Sequence, residues 1–277
     1  MGVRLLHPPS LGAPRLLEGP AAGGAQVGEA EDDLARLYAH ELPSPGRAAW
    51  VRANLVTTLD GAAAGADGSS RSISGPTDLR VLVVLRSLAD VVLVGAGTAR
   101  SEGYGPLGVR PALAARRAAL GQAAAPVLAV VTRSGRLPDE LLEAAADDDR
   151  SAGGSRVLAV TCSAAGDSAL DRLRSGLGDD SVVVAGDGEV DLSAAVADLG
   201  RRGLRRVLCE GGPSLLRDVV AADLLDELCL TTTPLLVAGG GPRALVGEAL
   251  VGRLDLASLL LADDGGGTLL GRWTVRR

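Results

Sequence analysis

Five short apolar runs recur down the chain at Val91–Val94, Val127–Thr132, Val157–Thr161, Val182–Ala185 and Arg206–Cys209, with helical patterns between them. Each has strand length and no polar alternation, so a strand built from it must be covered on both faces. Parallel strands joined by crossover helices meet that demand, which predicts a three-layer α/β/α sandwich. Downstream, Leu225–Thr232, Leu254–Ala262 and Thr268–Val275 follow one another without helices and are joined by glycine-rich loops. They read as antiparallel strands extending the same, mostly parallel sheet. Upstream, Trp50–Thr57 reads as a strand, Asp60-Gly61 as a turn, and a short second strand runs through Ala64.

The helical segments are Pro76–Leu88, opened by proline in its first turn, then Ala112–Leu120, then 138–146, 165–175 and 191–201, and a last one through Ala221. Glu29–Leu42 forms one apolar stripe ended by Pro43 and Pro45. Residues 1–28 carry Pro, Gly and Ala without period and read as an irregular arm, and Asp147–Ser155 reads as a surface loop. Two parts follow: an arm and helix over 1–49, and one α/β domain over 50–277.

Composition removes several chemistries. All 28 cationic side chains are arginine, so Schiff-base catalysis and a P-loop phosphate site have no lysine to use. The two histidines, His7 and His40, read as a solvated loop residue and a helix-surface residue, which leaves no metal site and no Ser-His-Asp triad. Cys162, Cys209 and Cys229 form no CxxC pair and read as small buried hydrophobes. A net charge of −6 argues against a nucleic-acid partner, and no segment is apolar enough to span a membrane. With no readable signal peptide, the expected location is cytoplasmic. Phenylalanine is absent, so aliphatic side chains must pack the core.

Three segments carry chemistry. In Val91–Arg100 a buried strand runs into Gly95-Ala96-Gly97, where bare N–H groups can approach a phosphate; an ordinary strand–helix turn would look the same. The third glycine of a dinucleotide fingerprint is Arg100, and the next strand ends in Thr132-Arg133-Ser134, whose hydroxyls and guanidinium suit a 2′-phosphate. In Val207–Leu216 a strand leads through Glu210 into Gly211-Gly212, and Pro213 and Ser214 open a helix whose positive end suits an anion. Glu210 is there either as an exposed strand-terminal residue or as a substrate ligand. Asn54–Gly61 places Thr57 and Thr58 beside Asp60 at a strand end.

These segments, in this order and spacing, resemble the reductase domain of bacterial riboflavin biosynthesis. The matching stretches are Thr58-Leu59-Asp60-Gly61, the serine loop Ser69–Ile73 with Ser74-Gly75-Pro76 and Arg86, Asp90–Thr98, Glu210–Leu215, Asp226-Glu227 and Thr231–Pro234. The resemblance covers about residues 50–275. It implies a dihydrofolate-reductase-like fold, NADPH as cofactor, a homodimer, and reduction of 5-amino-6-(5-phosphoribosylamino)uracil. It also implies that Val56, Gly95, Ala96, Gly97, Thr98, Thr132, Arg133, Ser134, Gly211, Gly212, Pro213, Ser214 and Leu215 hold the cofactor. Thr58, Ser70, Arg86 and Glu102 would face the substrate, and Asp60 and Glu210 would orient it or help move its proton.

The chain departs from that family in places. Its tryptophan in the serine loop is Ser72 here, and its phosphate-gripping segment is Ser101–Leu107, with Arg110 the nearest candidate for its later arginine. No zinc-deaminase signature precedes the reductase. The alternatives are reduction of dihydrofolate or another pterin, and a protein that binds NADP without turnover.

Overall fold

The computed structural model describes residues 2–7, 16–17, 27–41, 43–146, 155–263 and 265–277. Strands β1 (Val3–His7), β2 (Leu16–Leu17), β3 (Trp50–Thr58), β4 (Val91–Gly95), β5 (Val127–Val131), β6 (Val157–Thr161), β7 (Val182–Val184), β8 (Arg206–Gly211), β9 (Leu225–Thr233), β10 (Leu254–Ala262) and β11 (Leu269–Val275) form one sheet. Their order is β2-β1-β10-β11-β9-β3-β8-β4-β5-β6-β7. Pairing is parallel from β9 through β3 to β7 and antiparallel from β9 through β11 and β10 to β2.

The apolar runs behave as period-two strands buried twice. Val92 and Val94 of β4 join one core, while Val91 and Leu93 join the other. On the first face pack α1 (Val27–Leu37), α2 (Pro76–Leu88), α4 (Pro111–Ala119), α5 (Asp139–Ala146), α6 (Asp167–Leu177) and the short α3 (Ala96–Ser101). On the second face pack α7 (Leu192–Arg201) and α8 (Pro213–Ala221), through Val196, Leu199, Leu216 and Val219.

The N-terminal expectation needs correction. Residues 3–7 are not irregular: β1 lies antiparallel to β10, with Val3 opposite Ala262, and buries Val3 and Leu5 in the first core. Strands β1 and β2 therefore extend the sheet beyond β10. A strand this short has too few alternations to stand out from its Pro- and Gly-rich surroundings. Residues 8–15 and 18–26 of the expected arm, Leu42, and residues 147–154 of the expected surface loop lie outside the described residues.

Just past the end of α1 at Leu37 the chain is tied to the sheet. Arg52 of β3 donates to the carbonyls of Tyr38 (2.7 Å) and Ala39 (3.2 Å), and its Nε pairs with Glu227 of β9 at 2.9 Å, with both side chains fully buried. His40, just beyond, is not on a helix surface. Both ring nitrogens are buried without hydrogen-bond partners, and burial, with Arg52 and Arg206 nearby, holds its pKa well below the usual value. His7 closes β1 and does not sit in a loop. The strand expected through Ala64 is a single antiparallel bridge from Ala62 to Arg243. Cys162, Cys209 and Cys229 are free and buried.

Candidate functional site

Strands β3, β8 and β4 are consecutive and parallel, so their carboxyl ends open on one edge, where α/β sheets bind ligands. Both glycine turns lie there and touch. A side-chain carbon at Gly95 would come within 3.8 Å of the Gly211 carbonyl, and one at Gly212 would sit 2.5 Å from the Thr98 hydroxyl. Gly97 is exposed with nothing near it. Beside this junction lies a cleft of about 260 Å³, whose walls include Asn54, Val56, Ser70, Asp78, Glu102 and Glu210. Thr98, Gly212, Pro213 and Tyr104 also line it.

Glu210 is neither a strand-end ornament nor a free carboxylate. It is buried, and Arg86 grips both its oxygens at 2.7 and 2.6 Å while the Tyr104 hydroxyl donates to one of them at 2.6 Å. The guanidinium also lies over the Tyr104 ring, 5.2 Å from its centroid. Burial alone would lower the Arg86 pKa, yet the hydrogen bond and charge of Glu210 outweigh it and raise it. Burial and the Glu210 carboxylate likewise push the Tyr104 hydroxyl up. This triad fixes the Glu210 side chain on the cleft wall. Glu102 is also held in place: it accepts from the Ser69 hydroxyl (3.1 Å) and the Ser70 N–H (3.0 Å), and Arg71 lies 3.6 Å away.

The remaining expected residues divide. Val56, Ser70, Thr98, Glu102, Glu210, Gly212 and Pro213 line the cleft. Arg86 reaches it through Glu210, and Leu215 packs in the second core beneath the two turns. Asp60 and Thr58 do not line the cleft. The Thr58 hydroxyl donates to Asp60 and accepts the Ala62 N–H at 3.0 Å, and Asp60 accepts the N–H groups of Val237 (3.2 Å) and Ala238 (2.7 Å). Those bonds, the Thr58 one foremost, hold the exposed Asp60 carboxyl below its usual pKa and spend its acceptors on shaping the 237–238 loop.

Thr132, Arg133 and Ser134 sit one strand further out, past β5. The Thr132 hydroxyl closes a turn with Arg136, through its N–H at 3.1 Å and its carbonyl at 3.0 Å. Arg133 is exposed and lies 3.7 Å from Glu189. Arg110 is corrected as the phosphate grip: it pairs with buried Glu31 of α1 at 2.6 Å, away from the cleft. Ser214 is exposed at the start of α8.

Sequence reasoning missed Asp78, Tyr104 and Asn54. Asp78, third residue of α2, is buried in the cleft wall; burial raises its pKa, while the hydroxyls of Thr231 and Ser74 hold the rise back. In the sequence it looks like any acidic residue in a first helical turn.

Among the described residues no group of three or more metal-ligating side chains forms, and no helix is long and apolar enough to cross a membrane. Crossover helices on both faces and a cleft at the strand ends define the class, an α/β enzyme working at the carboxyl edge of its sheet. The family model for the RibD C-terminal domain matches residues 49–267, and the chain belongs to that family.

It is 31% identical over 230 residues to the 2,5-diamino-6-ribosylamino-4(3H)-pyrimidinone 5′-phosphate reductase of Methanothermobacter thermautotrophicus, covering 82% of this chain and 98% of that protein. The protein of that name from Archaeoglobus fulgidus is 28% identical over 218 residues, covering 78% and 94%. Among solved structures, a pyrimidine reductase-like protein from Corynebacterium diphtheriae superposes with a TM-score of 0.72 at 28% identity, covering 83% of this chain and 92% of that one. The chain is thus an oxidoreductase with the expected dihydrofolate-reductase-like α/β fold.

Proposed function

We propose that the chain is an NADPH-dependent reductase of a 6-ribosylaminopyrimidine 5′-phosphate in riboflavin biosynthesis. One observation carries the reading. The two glycine turns, from strands β4 and β8, meet at the same cleft whose wall holds Glu210.

A nicotinamide dinucleotide fits the residues present. The gap between the turns is one that a methyl group at Gly212 would fill, and the Gly97 backbone is uncovered. Gly95–Thr98 and Gly211–Ser214 would hold its pyrophosphate and Val56 would border its ring, with Arg133 and Ser134 reaching a 2′-phosphate. Bound there, the cofactor supplies hydride. The chain orients the acceptor beside it: Glu210, fixed by Arg86 and Tyr104, presents a carboxylate to the hydroxyl and amino groups of the substrate, and Glu102 with Ser70 lines the other side. Asp60 shapes the loop beside the site through its backbone bonds.

The archaeal relatives bear the name of the 2,5-diamino-pyrimidinone form, whereas the resemblance in the sequence pointed to the uracil form. Residues 50–277 would carry the activity, with β1 and α1 completing the sheet and first core; the assembly would be a cytoplasmic homodimer.

The test is NADPH oxidation followed in parallel with the 2,5-diamino-pyrimidinone, the uracil compound and dihydrofolate. Turnover of a ribosylaminopyrimidine with none of dihydrofolate is expected. The reverse preference, or none at all, would refute the assignment.

A further inference from the structure

Three carboxylates face the cleft, and they are not alike. Glu210 is bound to the Arg86 guanidinium through both oxygens and to the Tyr104 hydroxyl. Glu102 is bound by the Ser70 N–H and the Ser69 hydroxyl, with Arg71 nearby. Asp78 has no cation: among the described residues no arginine or histidine pairs with it, and its polar neighbours are the hydroxyls of Thr231 on β9 and Ser74 before α2. It is only 4% exposed, yet it lines the cleft.

Asp78 occupies the first turn of α2, where the helix end favours an anion, while burial without a counter-charge acts the other way and raises its pKa. The other titratable groups on the cleft are Glu102 after α3, Tyr104 in the following loop, and Glu210 on β8 with Arg86 on α2. None of them shifts Asp78 by its charge.

We propose that Asp78 is the proton donor of the reduction. The inference rests on the reductase reading above. Reduction of a ring-opened ribosylamine places hydride from the nicotinamide on the sugar carbon of a C=N bond. The π pair moves to nitrogen, which must gain a proton as it does so. In that step the Asp78 O–H bond breaks, an N–H bond forms, and the carboxylate left behind is reprotonated by water. A neutral acid already inside the cleft supplies this proton without bringing bulk water to the hydride donor. Glu210 and Glu102 already accept hydrogen bonds on both carboxylate oxygens and are engaged in holding the site together.

Two readouts test this on the full chain. In protein labelled with 13C at aspartate carboxyls, the resonance lost in Asp78→Asn identifies Asp78, and its titration midpoint is expected above the usual value of about 3.9. In the turnover assay, Asp78→Asn is expected to lower kcat about 100-fold or more, with NADPH affinity within about threefold of the parent. The alkaline limb of the kcat–pH profile should match the carboxyl midpoint, disappear in Asp78→Asn and persist in Asp78→Glu. If Asp78→Asn does not fold, Thr231→Val removes one of the hydroxyls that hold the rise back, and must move midpoint and limb together to higher pH.

A midpoint at or below the ordinary value, or an Asp78→Asn enzyme with unaltered kcat and pH profile, overturns the assignment. A wild type that reduces none of the three substrates refutes the reductase reading instead, and the carboxyl titration still decides whether Asp78 holds a proton.

Discussion

Gly212 and Gly97 separate the architecture of the glycine turns from their occupant. A methyl group at Gly212 would lie 2.5 Å from the Thr98 hydroxyl, with the Thr98 Cβ next at 3.8 Å. The backbone φ of −58° at Gly212 accepts a side chain, so the cost is the contact alone. Relief needs a movement of about 1 Å, and Thr98 is β-branched on a helix, where its χ1 has few alternatives. Overpacking of this kind costs about 1–3 kcal/mol, which becomes about a 5- to 150-fold weaker Kd if the turn adopts its bound shape only by undoing the shift.

Thr98→Ala deletes the offending oxygen and leaves an ordinary 3.8 Å contact, so Gly212→Ala/Thr98→Ala should recover most of the loss. Gly97→Ala meets no atom within 4 Å and lies in α3, so the melting temperature should hold or rise slightly. Its methyl group can collide only with a bound molecule, so NADPH affinity should still fall. Calorimetric titration with NADPH, paired with thermal melts of each variant, checks both. A Gly97→Ala protein that binds NADPH like the parent would sink the idea that the turns cradle the cofactor. A double variant no better than Gly212→Ala would sink the steric account.

Two further outcomes follow from charge. Arg133→Ala should weaken NADPH while leaving NADH almost unaffected, read as the ratio of the two KM values. An unchanged ratio would move the 2′-phosphate to the neighbouring cleft of about 380 Å³ lined by Arg100, Arg136 and Arg172. His40, whose folded-state pKa is depressed by burial, stabilises the fold above its unfolded value of about 6.5 and loses that contribution as pH falls, by up to about 1.4 kcal/mol per unit. Stability by urea titration should therefore drop more steeply between pH 6.5 and 4.5 in the parent than in His40→Leu, and parallel curves would contradict the burial of an uncharged ring.

What could be read from the chain depended on whether a feature is local. The strands β4 to β6 were visible because burial on two faces leaves an unbroken apolar run, and the turn after β8 because the φ of +81° at Gly211 favours glycine. Strand β1 was hidden, since two inward side chains in five residues carry almost no periodic signal and only the partner β10 gives them meaning. The carboxylates were the hardest to read, because an acid's role is set by what surrounds it. Glu210 and Arg86 are 124 residues apart and meet only when β8 and α2 pack. Asp60, prominent in a motif, has its oxygens absorbed by a turn and a loop, while Asp78, unremarkable in sequence, is carried into a cation-free wall by the same helix that delivers Arg86 to Glu210. One helix thus supplies the guanidinium that binds the Glu210 carboxylate and carries Asp78 into the cleft beside hydroxyls alone, and a reduction that needs both orientation and a proton has a use for each.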